Sequence, residues 1–92
     1  MGKQENFKTR ISRIFDLPQD VILNLPKLSL TGNLDLVIEN HRGIIKYTTE
    51  SVKIRVYHGQ VIVGGAELMI ESIESDILAV TGQIADLSFK LD

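Results

Sequence analysis

The sequence predicts an all-β protein, one small domain with a curled and mainly antiparallel sheet of seven or eight short strands behind a short amphipathic helix. Three observations carry this. Apolar residues recur at period two after Pro26, glycines punctuate those runs at short intervals, and a helical period is confined to the first sixteen residues. At 92 residues the chain supports a single modest core.

From Glu5 to Asp16 the apolar residues are Phe7, Ile11, Ile14 and Phe15, which share one side of a helix, while Lys8, Arg10 and Arg13 fall mostly elsewhere on the wheel. Pro18 and Pro26 disfavour helix at Leu17 and Leu25. Residues 1–26 are therefore expected to form the helix and an extended connector, and residues 27–92 the β domain. Leu28 and Leu30 alternate with polar neighbours, as do Leu34, Leu36 and Ile38, and then Val52, Ile54 and Val56. Further strands are expected at Gln60–Val63, Glu67–Ile73, Ile77–Thr81 and around Leu87–Leu91. Between them stand Gly32-Asn33, Arg42-Gly43, His58-Gly59, Gly64-Gly65 and Gly82, residues suited to positive φ where a chain reverses. A roll or sandwich fits this spacing better than the alternative, a short β-solenoid, since no repeat of fixed period is present.

Composition narrows function mainly by exclusion. With no cysteine there is no disulfide framework, thiolate metal site or Cys nucleophile. A net charge of −2 lacks the dominant basic face of a nucleic-acid binder. No apolar stretch reaches the roughly 18–20 residues of a membrane span, and no leader pattern opens the chain, so a cytoplasmic protein is expected. Charge is uneven along it. Residues 1–16 hold Lys3, Lys8, Arg10 and Arg13 against Glu5 and Asp16, whereas residues 67–92 hold six carboxylates against Lys90.

Nothing in the motifs points to an enzyme. His41 and His58 stand beside turn glycines without the companion ligands or base that metal binding or catalysis needs. No nucleophile elbow surrounds the serines, and Val63-Gly64-Gly65-Ala66-Glu67 lacks the spacing of a phosphate cradle. No cofactor is expected. Arg42, Lys46, Lys53 and Arg55 give one hairpin a local positive excess, for which a solvated face is the plainest account. Asn40-His41-Arg42-Gly43 is expected to be a tight turn joining two strands. In it Asn40 would bond nearby main chain, Gly43 would take positive φ, and Arg42 would be an exposed fork for a carboxylate on a partner or on the acidic C-terminal part.

Residues 15–47, "FDLPQDVILNLPKLSLTGNLDLVIENHRGIIKY", resemble the YabP/YqfC family of sporulation proteins, in particular its YqfC branch. The likeness rests on Asp16-Leu17-Pro18 with Asp20-Val21 and Leu25-Pro26, on Gly32-Asn33, and on the run Ile38 to Ile44 with Tyr47. The later strands agree in layout to about residue 89. The resemblance implies a non-enzymatic protein of endospore-forming bacteria, made in the mother cell around the forespore, with no catalytic residues to carry over. It also implies a protein partner, which could be a membrane-embedded sporulation protein.

Three readings follow from the residues and the resemblance together. The first is a structural or adaptor module acting in spore-envelope assembly through the sheet edge and the N-terminal helix, with homo-oligomers also open. In the second, Phe7, Ile11, Ile14 and Phe15 insert peripherally at an anionic membrane, on the forespore, while Lys8, Arg10 and Arg13 face headgroups. The third is a small-ligand-binding domain centred on His41, Arg42 and His58.

Overall fold

The computed structural model describes residues 23–92. The expected helix, with Phe7, Lys8, Arg10, Ile11, Arg13, Ile14 and Phe15, lies outside the described residues. From Lys27 onward every regular element is a strand: β1 (Lys27–Thr31), β2 (Asp35–Glu39), β3 (Ile44–Tyr47), β4 (Ser51–Val56), β5 (Gly59–Ile73) and β6 (Ile77–Leu91). They form one sheet in the order β1-β2-β6-β5-β4-β3. Each neighbouring pair is antiparallel, which sets the fold apart from the parallel rungs of a solenoid.

The strand count is six among the described residues rather than seven or eight, because Gly64-Gly65 and Gly82 bend strands without ending them. Register shifts in the β5–β6 ladder at Gly64/Gly65, Ala66/Met69 and Ile70/Ser72 are β-bulges, and each adds local twist to a strand that continues. The bend is tightest where Glu67 takes φ 53° and turns Leu68 into the core. There Gly82 has φ 128°, and a Cβ on it would lie 2.5 Å from the Glu67 carbonyl oxygen and 2.9 Å from the Leu68 Cα. The backbones of the two strands meet at a contact that glycine permits.

Period two reads through to burial. Val52, Ile54 and Val56 are buried, as are Val61 and Val63 opposite them, Leu36 and Ile38 on β2, and Leu78 and Val80 on β6. With Leu68 and Ile84 they make one cluster, against which Leu28, Ile44, Ile70 and Leu87 pack. A single flat layer would leave such a face open to water, so the sheet curls and its two halves cover each other. Chain length demands the same curl. β2 and β3 are four places apart in the strand order. On a flat sheet that separation is roughly 19 Å, about the limit of five extended Cα steps from Glu39 to Ile44. The predicted tight turn at Asn40–Gly43 joins two strands but makes no hairpin, since β2 pairs with β1 and β6 while β3 pairs with β4. Leu34, expected on the second strand, sits in the β1–β2 turn and is 60% exposed.

Candidate functional site

Asn40-His41-Arg42-Gly43 carries the chain from one half of the curl to the other, and nearly every polar group in it has a partner within the protein. Asn40 takes φ 65°, a left-handed conformation that asparagine tolerates better than most residues. Its Nδ2 donates to the carbonyls of Leu23 (3.1 Å) and Leu25 (3.0 Å), fastening the segment that leads into β1. The main-chain N–H groups of Asn40 and His41 both donate to the Asp76 carbonyl, in the β5–β6 turn. Arg42 N–H donates to the Arg55 carbonyl and Arg55 N–H to the Gly43 carbonyl, which extends the β3–β4 ladder into the crossing.

The histidine is equally committed. The Gly43 N–H donates to His41 Nδ1 at 3.1 Å, so that nitrogen is an acceptor and the proton of the neutral ring sits on Nε2. Nε2 lies 3.2 Å from the Glu74 carbonyl and donates to it. Gly43 itself has φ 119°, with nothing within 4 Å of where a Cβ would stand, so the site is restricted by backbone conformation and not by space. Arg42 is exposed, yet its Nη2 donates to Asn24 Oδ1 at 2.8 Å and its guanidinium carbon lies 5.7 Å from the Tyr57 ring centroid. The expected fork for the acidic C-terminal part thus meets an amide and an aromatic face. Tyr57 in turn leans on His58, whose φ of 58° completes the β4–β5 turn.

Leu23, Asn24, Asn40, His41, Arg42 and Asp76 surround an open depression of about 210 Å³. Two features of the corner were not readable from its own residues, the Leu23–Leu25 carbonyls and the Asp76 carbonyl. Both are main-chain groups brought in by the fold from 15 or more residues away. Of the positive residues at 42–55, Lys46, Lys53 and Arg55 fall on one hairpin, β3–β4, where Lys46 stands directly opposite Lys53, while Arg42 lies on the crossing that precedes it. Among the described residues no group of three or more His, Asp or Glu side chains converges as a metal site would require. None of their helices is long and apolar enough to cross a membrane.

The residues of this corner and the strands on both sides of it lie within a match to the YabP family model, over residues 24–92. The chain belongs to the YabP family. It is also 32% identical over 85 residues to a Bacillus subtilis (strain 168) protein whose name reads "Uncharacterized protein YqfC", an alignment covering 91% of each chain. No solved structure matches.

Proposed function

We propose that this YabP-family chain is a non-enzymatic structural or adaptor module that serves spore-envelope assembly through protein contacts. The supporting observation is how the corner spends its chemistry. Asn40, His41 and Arg42, the polar residues best placed for a reaction, hold the N-terminal approach, the β5–β6 turn and the crossing together. Large apolar side chains are exposed on or near the sheet edges, among them Leu30 on β1, Ile45 and Tyr47 on β3, and Phe89 and Leu91 on β6. Edges of this kind suit capture of another chain by strand addition. The sporulation context comes from the family resemblance and from the Bacillus relative. In this reading the protein works in the mother-cell cytoplasm beside the forespore, with a membrane-embedded sporulation protein as partner.

The test is affinity capture of the tagged chain from sporulating cells of an endospore former, paired with counts of heat-resistant spores after gene deletion. Expected are a partner enriched during sporulation and a fall in heat-resistant spores; unchanged spore counts with no enriched partner would sink the proposal. A peripheral membrane role is favoured by the stripe Phe7, Ile11, Ile14 and Phe15 beside Lys8, Arg10 and Arg13. Co-sedimentation with anionic vesicles, with and without residues 1–16, separates the two. Equal binding by both chains would eliminate membrane insertion by that segment.

A further inference from the structure

Among the described residues, the second half of β6 is paired on one side only. β2 covers β6 from Ile77 to Thr81, and the β1–β2 turn then reaches Gly82 and Ile84 through the Leu34 and Asn33 carbonyls. Beyond Ile84, among the described residues, β6 pairs with β5 alone. The direction of its free hydrogen-bonding groups follows from the register. Asp92 N–H donates to the His58 carbonyl and Leu91 faces Gly59, so Asp86, Ser88 and Lys90 direct their main-chain groups at β5. Leu87, Phe89 and Leu91 direct theirs away from it. The register skips Ala85 between Ile84 and Asp86, a bulge that reconciles this alternation with Ile84 bonding toward the β1–β2 turn. The same three residues carry apolar side chains on the face of Val61 and Val63, and Phe89 and Leu91 are 57% and 73% exposed.

Read outward from Ser88, the stretch Ala85-Asp86-Leu87-Ser88-Phe89-Lys90-Leu91 is complementary to itself. We infer that this edge pairs with the same edge of a second copy, antiparallel about a two-fold axis at Ser88. In that register Leu87 faces the partner's Phe89 and Phe89 the partner's Leu87. Their outward main-chain groups then supply four hydrogen bonds, and two aromatic–aliphatic pairs form on one face. On the other face Asp86 stands opposite the partner's Lys90, and Lys90 opposite the partner's Asp86, on either side of the Ser88 pair. Leu91 meets the small Ala85. A two-fold at Phe89 would instead set Asp86 against Asp92, which selects the Ser88 register. The β1–β2 turn at Asn33 stops the added strand at Ile84, so the contact is short and the dimer is of the weak, exchanging kind. This self-association does not depend on the spore role proposed above.

The test uses the 92-residue chain, which contains no cysteine. Ser88 is exposed, and opposite residues in a pair that exchanges no hydrogen bonds have Cα atoms about 4.5 Å apart, within disulfide range. Ser88→Cys should therefore form a covalent dimer rapidly under mild oxidation. Lys90→Cys places the two thiols roughly 14 Å apart along the strands, so its cross-linking should be at least about tenfold slower. In sedimentation equilibrium Asp86→Lys should lower the dimer fraction severalfold, and Asp86→Lys with Lys90→Asp should restore it. The dimer is overturned if Ser88→Cys cross-links no faster than Lys90→Cys, or if the double reversal is no better than the single one. A monomer with slow amide exchange at Leu87, Phe89 and Leu91 would mean that another part of the same chain covers the edge, and would overturn it as well.

Discussion

The two halves of β6 differ in sequence, a continuous apolar run at Ile77-Leu78-Ala79-Val80 and an alternation of Leu87, Phe89 and Leu91 with Ser88 and Lys90, and they end in different environments. In the first, Leu78 and Val80 are completely buried: β2 lies on one side and β5 on the other, and both residues belong to one core cluster with Val52, Ile54 and Val56 of β4. In the second, Leu87 is half-buried while Phe89 and Leu91 are mostly exposed, because β2 has turned away. Period two determines which face a side chain joins. Whether that face is covered depends on where the neighbouring strand stops.

This contrast can be broken or sharpened by substitution. The largest effect is expected for Ile54→Asp, which places a charge with no partner on the buried face of β4 and should leave little folded protein, as read by chemical denaturation and circular dichroism. Its neighbour Lys53→Glu should change stability by no more than about 0.5 kcal/mol, and in the favourable direction, since the new carboxylate would face Lys46 across the strand pair. Similar losses from both would show that the inward and outward faces of β4 are misassigned.

Next comes Leu78→Ala in the covered half of β6, expected to cost about 2–5 kcal/mol through lost burial and the cavity left behind. The crossing follows. Asn40→Ala removes two hydrogen bonds to the Leu23–Leu25 segment and puts a less tolerant residue at positive φ, for about 1–2 kcal/mol. Gly43→Val should cost more than about 1 kcal/mol through backbone strain alone, given the open space around it. A Gly43→Val chain as stable as the parent would mean that the crossing relaxes to another conformation. The smallest effect is expected for Leu91→Ala in the open half, within about 0.5 kcal/mol for the monomer. A Leu91→Ala loss as large as that of Leu78→Ala would show that the second half of β6 is covered too.

Much of the fold was legible in short windows of the chain. The inward residues Val52, Ile54 and Val56, the start of the sheet after Pro26, and positive φ at Gly43 all follow from local chemistry. Strand count was not, because Gly64-Gly65 and Gly82 look alike in sequence whether a strand ends or bulges there. The corner was half legible. That Asn40 would bond main chain is a local expectation, but its acceptors at Leu23 and Leu25 are 17 and 15 residues away, and Arg42 found Asn24 where a carboxylate was expected.

By itself the sequence determined the all-β class, the inward face of the central strands and the absence of cysteine chemistry, because side-chain alternation and backbone freedom at glycine are properties of neighbouring residues. Only the tertiary structure decided that Asn40–Gly43 crosses between halves of a curled sheet, that His41 is spent on the Gly43 and Glu74 main chain, and that Leu87–Leu91 has, among the described residues, a strand on one side only. These outcomes depend on which strands lie side by side. Strand order is set by burying one apolar face from both halves of the sheet at once, a condition on the whole chain that no short window contains.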